Sequence, residues 1–265
     1  METRTSQLLV GLLLVALPVA TGAQGAPSSE QVNEANNPLT PKITVNLQDQ
    51  YVASYYGLDD SDSNAFLLRG VLPHKLLGWP QILRATVPIV TSPDEPLGSE
   101  TGLGDINLFD LFIFKAGGLE VGVGPQMTFP TATDDRLGTG KWQAGAAVFG
   151  VAPQSWGLLG GLVTYQHSFA GDDDRATTSV LQAQPFVIVN LPHGFYLRST
   201  ATWNFDLEQE TYYIPIGLGV GKVWALKGGT TFNLFAEPQY TVAHDGIAPQ
   251  WQFFMGLNMQ FPIGH

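Results

Sequence analysis

The sequence predicts an all-β protein, a transmembrane antiparallel up-and-down β-barrel of about twelve strands behind an N-terminal signal peptide. Three observations carry that prediction. From Ile43 to Phe261 the chain divides into strand-length segments, several of which alternate apolar with polar or small residues. The connectors between them alternate between long acidic stretches and short ones. Charged residues make up 13% of the 265-residue chain while hydrophobic residues make up 44%, which is too little charge for a surface wetted entirely by water.

The N-terminus reads as a targeting segment. "METRTSQ" carries Arg4 ahead of the compact apolar run Leu8 to Ala20, and "TGAQ" follows with Thr21 and Ala23 where a signal peptidase reads small residues. The expected division is a signal peptide over 1–23, a periplasmic tail or plug segment over 24–42, a barrel over 43–261 and a short tail over 262–265. The apolar run is shorter than the ~20 residues a spanning helix needs. After the signal, helical periodicity is hard to find. A net charge of −11 argues against nucleic acid as a partner, and the absence of cysteine excludes disulfides, thiolate metal sites and a lipidated cysteine.

The expected strands are Ile43–Tyr55, Asn64–His74, Gln81–Val90, Leu103–Phe114, Leu119–Phe129, Lys141–Ala152, Gly157–Phe169, Ser179–Asn190, Phe195–Phe205, Tyr212–Val223, Thr230–Tyr240 and Trp251–Phe261. In the fifth, Leu119, Val121, Val123, Met127 and Phe129 share one face, opposite Glu120, Gly122, Gly124, Gln126 and Thr128. In the last, Trp251, Phe253, Met255, Leu257, Met259 and Phe261 make an apolar face that lipid wets better than water does. This strand ends in an aromatic residue, as assembly signals read by the barrel assembly machinery do, although "PIGH" follows it. Asp49 and Asp110 fall among apolar neighbours, which calls for a bulge or for other strand limits there.

The long connectors are "GLDDSDSN", "TSPDEPLGSETG", "PTATDDRLGTG", "AGDDDRATT", "DLEQET" and "VAHDGIAP"; interleaved with them are "KLLGW", "KAGG", "PQSW", "LPHG" and "WALKGG". Sorting of this kind puts long loops outside the cell and short turns in the periplasm, with an even strand number bringing both termini to the short-turn side. Aromatic residues near segment ends, among them Trp79, Trp142, Trp156, Tyr165, Trp203, Trp224 and Trp251, suit interfacial girdles.

Two stretches carry a family resemblance. "TGLGDINLFDLFIF", Thr101 to Phe114, and "GPQMTFPTATDDRLGTGKWQAGAAVFG", Gly124 to Gly150, resemble the Gly-Asp strand opening and the Pro-Thr loop with its Leu-Gly-Thr-Gly-Lys-Trp return in the MetA-pathway of phenol degradation family. The resemblance implies an outer-membrane barrel that acts as a transporter for aromatic or other hydrophobic compounds. It implies no catalytic residues.

Candidate residues fall into three groups. Arg69, Arg84, Arg198, Asp105, Glu120 and Glu237 lie on the small or polar faces of their segments and are candidates for lining or constricting a lumen, with structural ion pairing as the equal alternative. Asp59, Asp60, Asp62, Asp134, Asp135, Asp172, Asp173 and Asp174 lie in expected extracellular loops, where they could share divalent cations with lipopolysaccharide; none has the spacing of a dedicated calcium loop. His167 next to Ser168, and His244, are the residues a lipid hydrolase would need, but adjacent strand residues point to opposite faces. "GLGVGKV", Gly217 to Val223, lacks the spacing and the following helix of a phosphate loop. The sequence calls for no cofactor and no metal. The function expected is a monomeric outer-membrane channel for passive passage of small, hydrophobic or aromatic molecules, in contact with membrane lipid and lipopolysaccharide. The alternatives are an outer-membrane lipid hydrolase and a closed, anchoring barrel.

Overall fold

The computed structural model describes residues 25–94 and 96–263, so the expected signal peptide lies outside the described residues. The strands form one antiparallel sheet that closes on itself. In chain order they are β1 (Ile43–Tyr56), β2 (Ser63–Leu76), β3 (Trp79–Thr91), β4 (Ile106–Ala116, extended upstream by Thr101–Leu103), β5 (Leu119–Phe129), β6 (Lys141–Gln154), β7 (Gly157–Gly171) and β8 (Ser179–Asn190). Then come β9 (Phe195–Ser199 and Trp203–Asp206), β10 (Thr211–Gly217 and Gly219–Ala225), β11 (Thr231–Asp245) and β12 (Ala248–Phe261). The two halves of β9 keep one register against β8, so they are one interrupted strand, and the same holds for β10 against β9. The barrel therefore has twelve strands. Each pairs with its chain neighbours, and β1 pairs with β12 from Ile43↔Phe261 to Tyr56↔Ala248. That last pairing leaves no open edge, which is the condition for a sheet to stand in hydrocarbon.

The faces are inverted relative to a water-soluble protein. On β12, Trp251 is 45% exposed and Phe253 39%, whereas Gln252 is 1% exposed and Gln260 5%. The register carries the same division around the wall. Thr44, Asn46 and Gln48 of β1 pair with Gln260, Asn258 and Gly256 of β12 on the inside, and Val45 and Leu47 pair with Met259 and Leu257 on the outside. Register shifts fall beside Ser54 on β1, at Phe169 on β7, and at Val242 on β11 opposite Ile214 and Pro215. At the last of these Pro215 has no N–H to give the ladder.

Asp49 and Asp110 need neither a bulge nor other strand limits, because the register runs unbroken past both. Both therefore point outward. Asp49 has Asn64 of β2 at the diagonal position on the same face. Asp110 is reached by His74 of β2 across β3, with Nε2 2.9 and 3.1 Å from the two carboxylate oxygens. Gln81, the β3 residue paired with His74, is 2% exposed and its side-chain amide has no partner among the described residues. This outward polar cluster lies two residues along β3 from Trp79, next to the short-turn rim.

The segment before β1, expected as a periplasmic tail or plug segment without helical periodicity, contains a helix. Ser29–Asn36 forms helix α1, closed by a capping box in which Gln31 N donates to Ser28 Oγ (3.2 Å) and Ser28 N donates to Gln31 Oε1 (2.9 Å). The helix sits in the short-turn mouth of the barrel. Asn33 Nδ2 donates to Gln154 O (2.9 Å), Asn190 Nδ2 to Asn33 Oδ1 (2.8 Å), Asn233 Nδ2 to Ala35 O (3.1 Å), and Asn37 Nδ2 to Glu120 Oε2 (2.7 Å). Val32, Ala35 and Leu39 are buried in one apolar cluster with Phe149, Val151, Leu158, Ile188 and Val223, all on the lumen side of the wall. The helix is thus held on its apolar side by burial and on its polar side by the rim.

The inverted faces predict the outcome of a charge scan on β12. Met255→Arg, outward at mid-strand, should lower folding stability in vesicles by about 2–4 kcal/mol. Asn258→Arg, inward, should cost much less. Guanidinium refolding titrations in lipid vesicles measure both.

Candidate functional site

The lumen gathers the strands' inward residues, and its middle is built around three arginines. Arg69 of β2 pairs with Thr86, and Arg84 of β3 pairs with Val71, so the two arginines are diagonal neighbours on the inner face. Arg69 Nη1 donates to Gln48 Oε1 at 2.5 Å, and Gln48 Nε2 donates onward to Asn258 Oδ1 at 2.9 Å. The Arg84 guanidinium carbon lies 3.9 Å from the centroid of the Phe109 ring. No ion pair among the described residues includes either arginine, and the Nε of each has no partner among them.

Arg198 on β9 is different. Its Nε donates to Glu237 Oε2 at 2.7 Å and its Nη2 to Thr200 Oγ1 at 2.6 Å, while its guanidinium carbon stands 3.6 Å above the Phe235 ring. Glu237 also accepts from Thr200 N (2.8 Å), Thr200 Oγ1 (2.7 Å) and Gln239 Nε2 (3.2 Å). Both side chains are almost wholly buried, and their charges are satisfied within the wall. Space for them comes from β10. A Cβ at Gly217 or Gly219 would collide with Glu237, and one at Gly221 would collide with Tyr196, whose hydroxyl donates to Asn233 Oδ1 at 2.6 Å. The "GLGVGKV" glycines are therefore clearance for a buried polar cluster across the wall.

The other two lumen candidates serve the ends of the barrel. Glu120 accepts from Lys115 Nζ at 2.7 Å and from Asn37 of the segment after α1, at the short-turn rim. Asp105 holds the long β5–β6 loop: its carboxylate accepts from Ala132 N (3.2 Å), Thr139 N (2.7 Å) and Thr139 Oγ1 (2.9 Å). The two stretches that carry the family resemblance thus pack on each other. Gly102, Gly104 and Gly138 allow it, since a Cβ at these positions would meet Thr133, Leu137 or Asp105.

Among the loop aspartates, Asp134 accepts from Arg136 Nε (2.7 Å) and Nη2 (3.1 Å), and Arg136 also reaches Glu100 (3.0 Å). Asp135 gives its carbonyl to Arg175 Nη2 (2.7 Å), and Asp172 gives its carbonyl to Lys141 Nζ (2.5 Å). Asp59, Asp60 and Asp62 occupy the β1–β2 loop, and Asp173 and Asp174 the β7–β8 loop. Among the described residues no three His, Cys, Asp or Glu side chains converge as metal ligands would. His167 points outward and Ser168 inward. His244 stacks on Tyr56 at 3.9 Å between ring centroids, and its Nδ1 is 3.2 Å from Gly246 O.

Two cavities meet at Arg69 and Arg84. One, of about 150 Å³, lies on the α1 side and is lined by Phe109, Phe149, Phe186, Phe235 and Phe254. The other, of about 110 Å³, lies toward the long loops and is lined by Gln50, Thr164, Gln182, Thr202 and Gln239. Arg69, Arg84, Gln184, Thr200 and Phe254 border both. Sequence reading missed the phenylalanines as a group, and missed Gln48, Arg136 and Arg175. Alternation places a side chain inside, but only the register shows which side chains meet.

The fold is similar to that of an outer-membrane channel from Pseudomonas putida F1, at 15% identity over 83% of this chain and 95% of that one, with a TM-score of 0.61. It is also similar to the NanC porin, at 9% identity over 83% of this chain and 100% of that one, with a TM-score of 0.53. At these identities the likeness concerns the fold, which is that of an outer-membrane β-barrel. No family model and no curated protein matches the sequence.

Two outcomes follow from these contacts. Glu237→Ala leaves Arg198 buried without its carboxylate and should cost about 3–5 kcal/mol. The double change Arg198→Leu with Glu237→Leu should cost clearly less, and denaturant unfolding in detergent compares the two. In the loop, the Arg136 guanidinium holds the Asp134 carboxyl down at about 2, from an ordinary 3.8. A depressed carboxyl stabilises the clasp above its unfolded value and stops doing so as pH falls through its folded value. Pepsin cleavage between Pro130 and Lys141 should therefore rise as pH drops from about 4 to about 2. Asp134→Asn should be cleaved readily across that range.

Proposed function

We propose that this protein is a passive outer-membrane channel for small solutes, narrowed at the periplasmic mouth by α1 and at its waist by Arg69 and Arg84. The observation that carries this reading is the pair of cavities on either side of those arginines, within a closed barrel whose outer face is apolar. On this reading a solute moves down its own gradient. The outward apolar band sits in lipid, and the acidic long loops face the lipopolysaccharide side, where shared divalent cations bridge carboxylates and phosphates. The β12 pattern ending at Phe261 suits delivery by the barrel assembly machinery. On the motif resemblance we also assign the chain to the MetA-pathway of phenol degradation family, with hydrophobic or aromatic compounds as its solutes.

The lipid hydrolase alternative gains nothing from the geometry. His167 and Ser168 face opposite ways, and His244 is engaged with Tyr56 and Gly246. A closed anchoring barrel differs from a channel in one measurable respect, which is current.

Refolded protein in planar lipid bilayers should give small, steady single-channel currents in potassium chloride. Val32→Glu with Ala35→Glu puts carboxylates into the apolar seat of α1 and should raise conductance several-fold by releasing the helix. Zero current from both folded proteins, judged by heat-modifiable migration, would favour the closed barrel.

A further inference from the structure

Resting on the channel reading, we infer that the lumen holds a selective site for a small organic monoanion, a carboxylate carried on an apolar body about the size of one ring. Four of the buried or rim charges are already matched within the barrel: Arg198 with Glu237, and Lys115 with Glu120. Arg69 and Arg84 are not. They sit side by side on β2 and β3, with only neutral partners, Gln48 and the Phe109 ring, among the described residues. Two like charges in a narrow, low-dielectric space repel, and each loses hydration that neutral neighbours replace only in part. A carboxylate lodged between them relieves both costs, because it can accept from two guanidinium groups at once. Neither Nε has a partner among the described residues, so the hydrogen-bonding demand of both guanidinium groups is only partly met.

The body attached to the carboxylate is specified by what adjoins the arginines. On the α1 side the cavity is about 150 Å³, and its walls carry Phe109, Phe149, Phe186, Phe235 and Phe254. Asn46, Gln48, Arg198 and Asn258 share that lining, and a cavity of about that volume accommodates one benzene ring. On the other side, apart from the arginines, glutamine and threonine predominate, with Leu162 and Phe254 among them. The anion therefore arrives through a polar, uncharged antechamber. It is bound by its head at the arginines and places its apolar end among the phenylalanines, against the mouth that α1 occupies. Neutral apolar solutes lack the first interaction, and inorganic or very small anions lack the second. The site combines charge selection with size selection at one point of the lumen.

The test uses full-length protein refolded in detergent, with radiolabelled benzoate as probe in equilibrium dialysis at neutral pH. Benzamide supplies the same ring without charge, and acetate supplies the charge without the ring. Benzoate should bind at least about tenfold more tightly than either, since a hydrogen-bonded charge or a buried ring is worth about that factor. Arg84→Gln and Arg69→Gln should each reduce benzoate binding about tenfold, while Arg84→Lys should lose less. Benzoate should also block bilayer current at concentrations where benzamide does not. Equal binding of benzoate and benzamide overturns the inference, as does benzoate binding that survives both arginine changes. Equal binding of acetate and benzoate overturns the ring pocket. The comparison of the three probes on unaltered protein needs no variant to fold. Absence of current with arginine-dependent benzoate binding would defeat the channel and leave the site standing, whereas current without such binding would do the reverse.

Discussion

Hydrocarbon offers a backbone amide no partner, and the pairing of β1 with β12 answers that constraint for the whole molecule. Every other strand finds its partners among chain neighbours. Ile43 and Phe261 must meet across nearly the full length of the barrel sequence before the last two rows of N–H and C=O groups are satisfied. Once they meet, inside and outside are defined, and each alternation along a strand acquires its meaning. The same closure creates the lumen, so the arginines, the phenylalanine-lined cavity and the seat of α1 exist only as products of the ring.

Inside, charge and space are managed together. Arg198 and Glu237 neutralise each other and are wrapped by Thr200 and Gln239. Gly217, Gly219 and Gly221 on β10 thin the wall where this cluster and Tyr196 need room. Arg69 and Arg84 receive no such treatment, and the contrast between a matched pair and an unmatched one gives the waist its chemistry. The apolar residues next to them, exceptional inside a barrel with an otherwise polar wall, serve both α1 and the larger cavity.

Much of this was legible from the chain alone, for identifiable reasons. The face of Trp251 to Phe261 is a period-two pattern, and the long and short connectors alternate, so strand number and the inner and outer faces could be read directly. Helix α1 was overlooked because eight residues are too few for a period to show, although Ser28 and Gln31 carry its capping signature. Asp49 and Asp110 suggested a bulge because an outward carboxylate looks costly; His74, 36 positions from Asp110 in sequence, is the partner that pattern reading could not supply. Asp105 likewise read as lumenal from local parity. Its duty to Thr139 depends on a loop that folds back from β5, and only the fold reveals that.

The His74–Asp110 contact bears on the order of assembly. Its two members stand on β2 and β4, with Gln81 of β3 between them. β2 or β4 released singly into the bilayer would present an imidazole or a carboxylate to acyl chains with nothing to answer it. His74 and Asp110 satisfy each other only once β3 lies between their strands, so this side of the wall gains by entering the lipid as a preassembled unit rather than strand by strand.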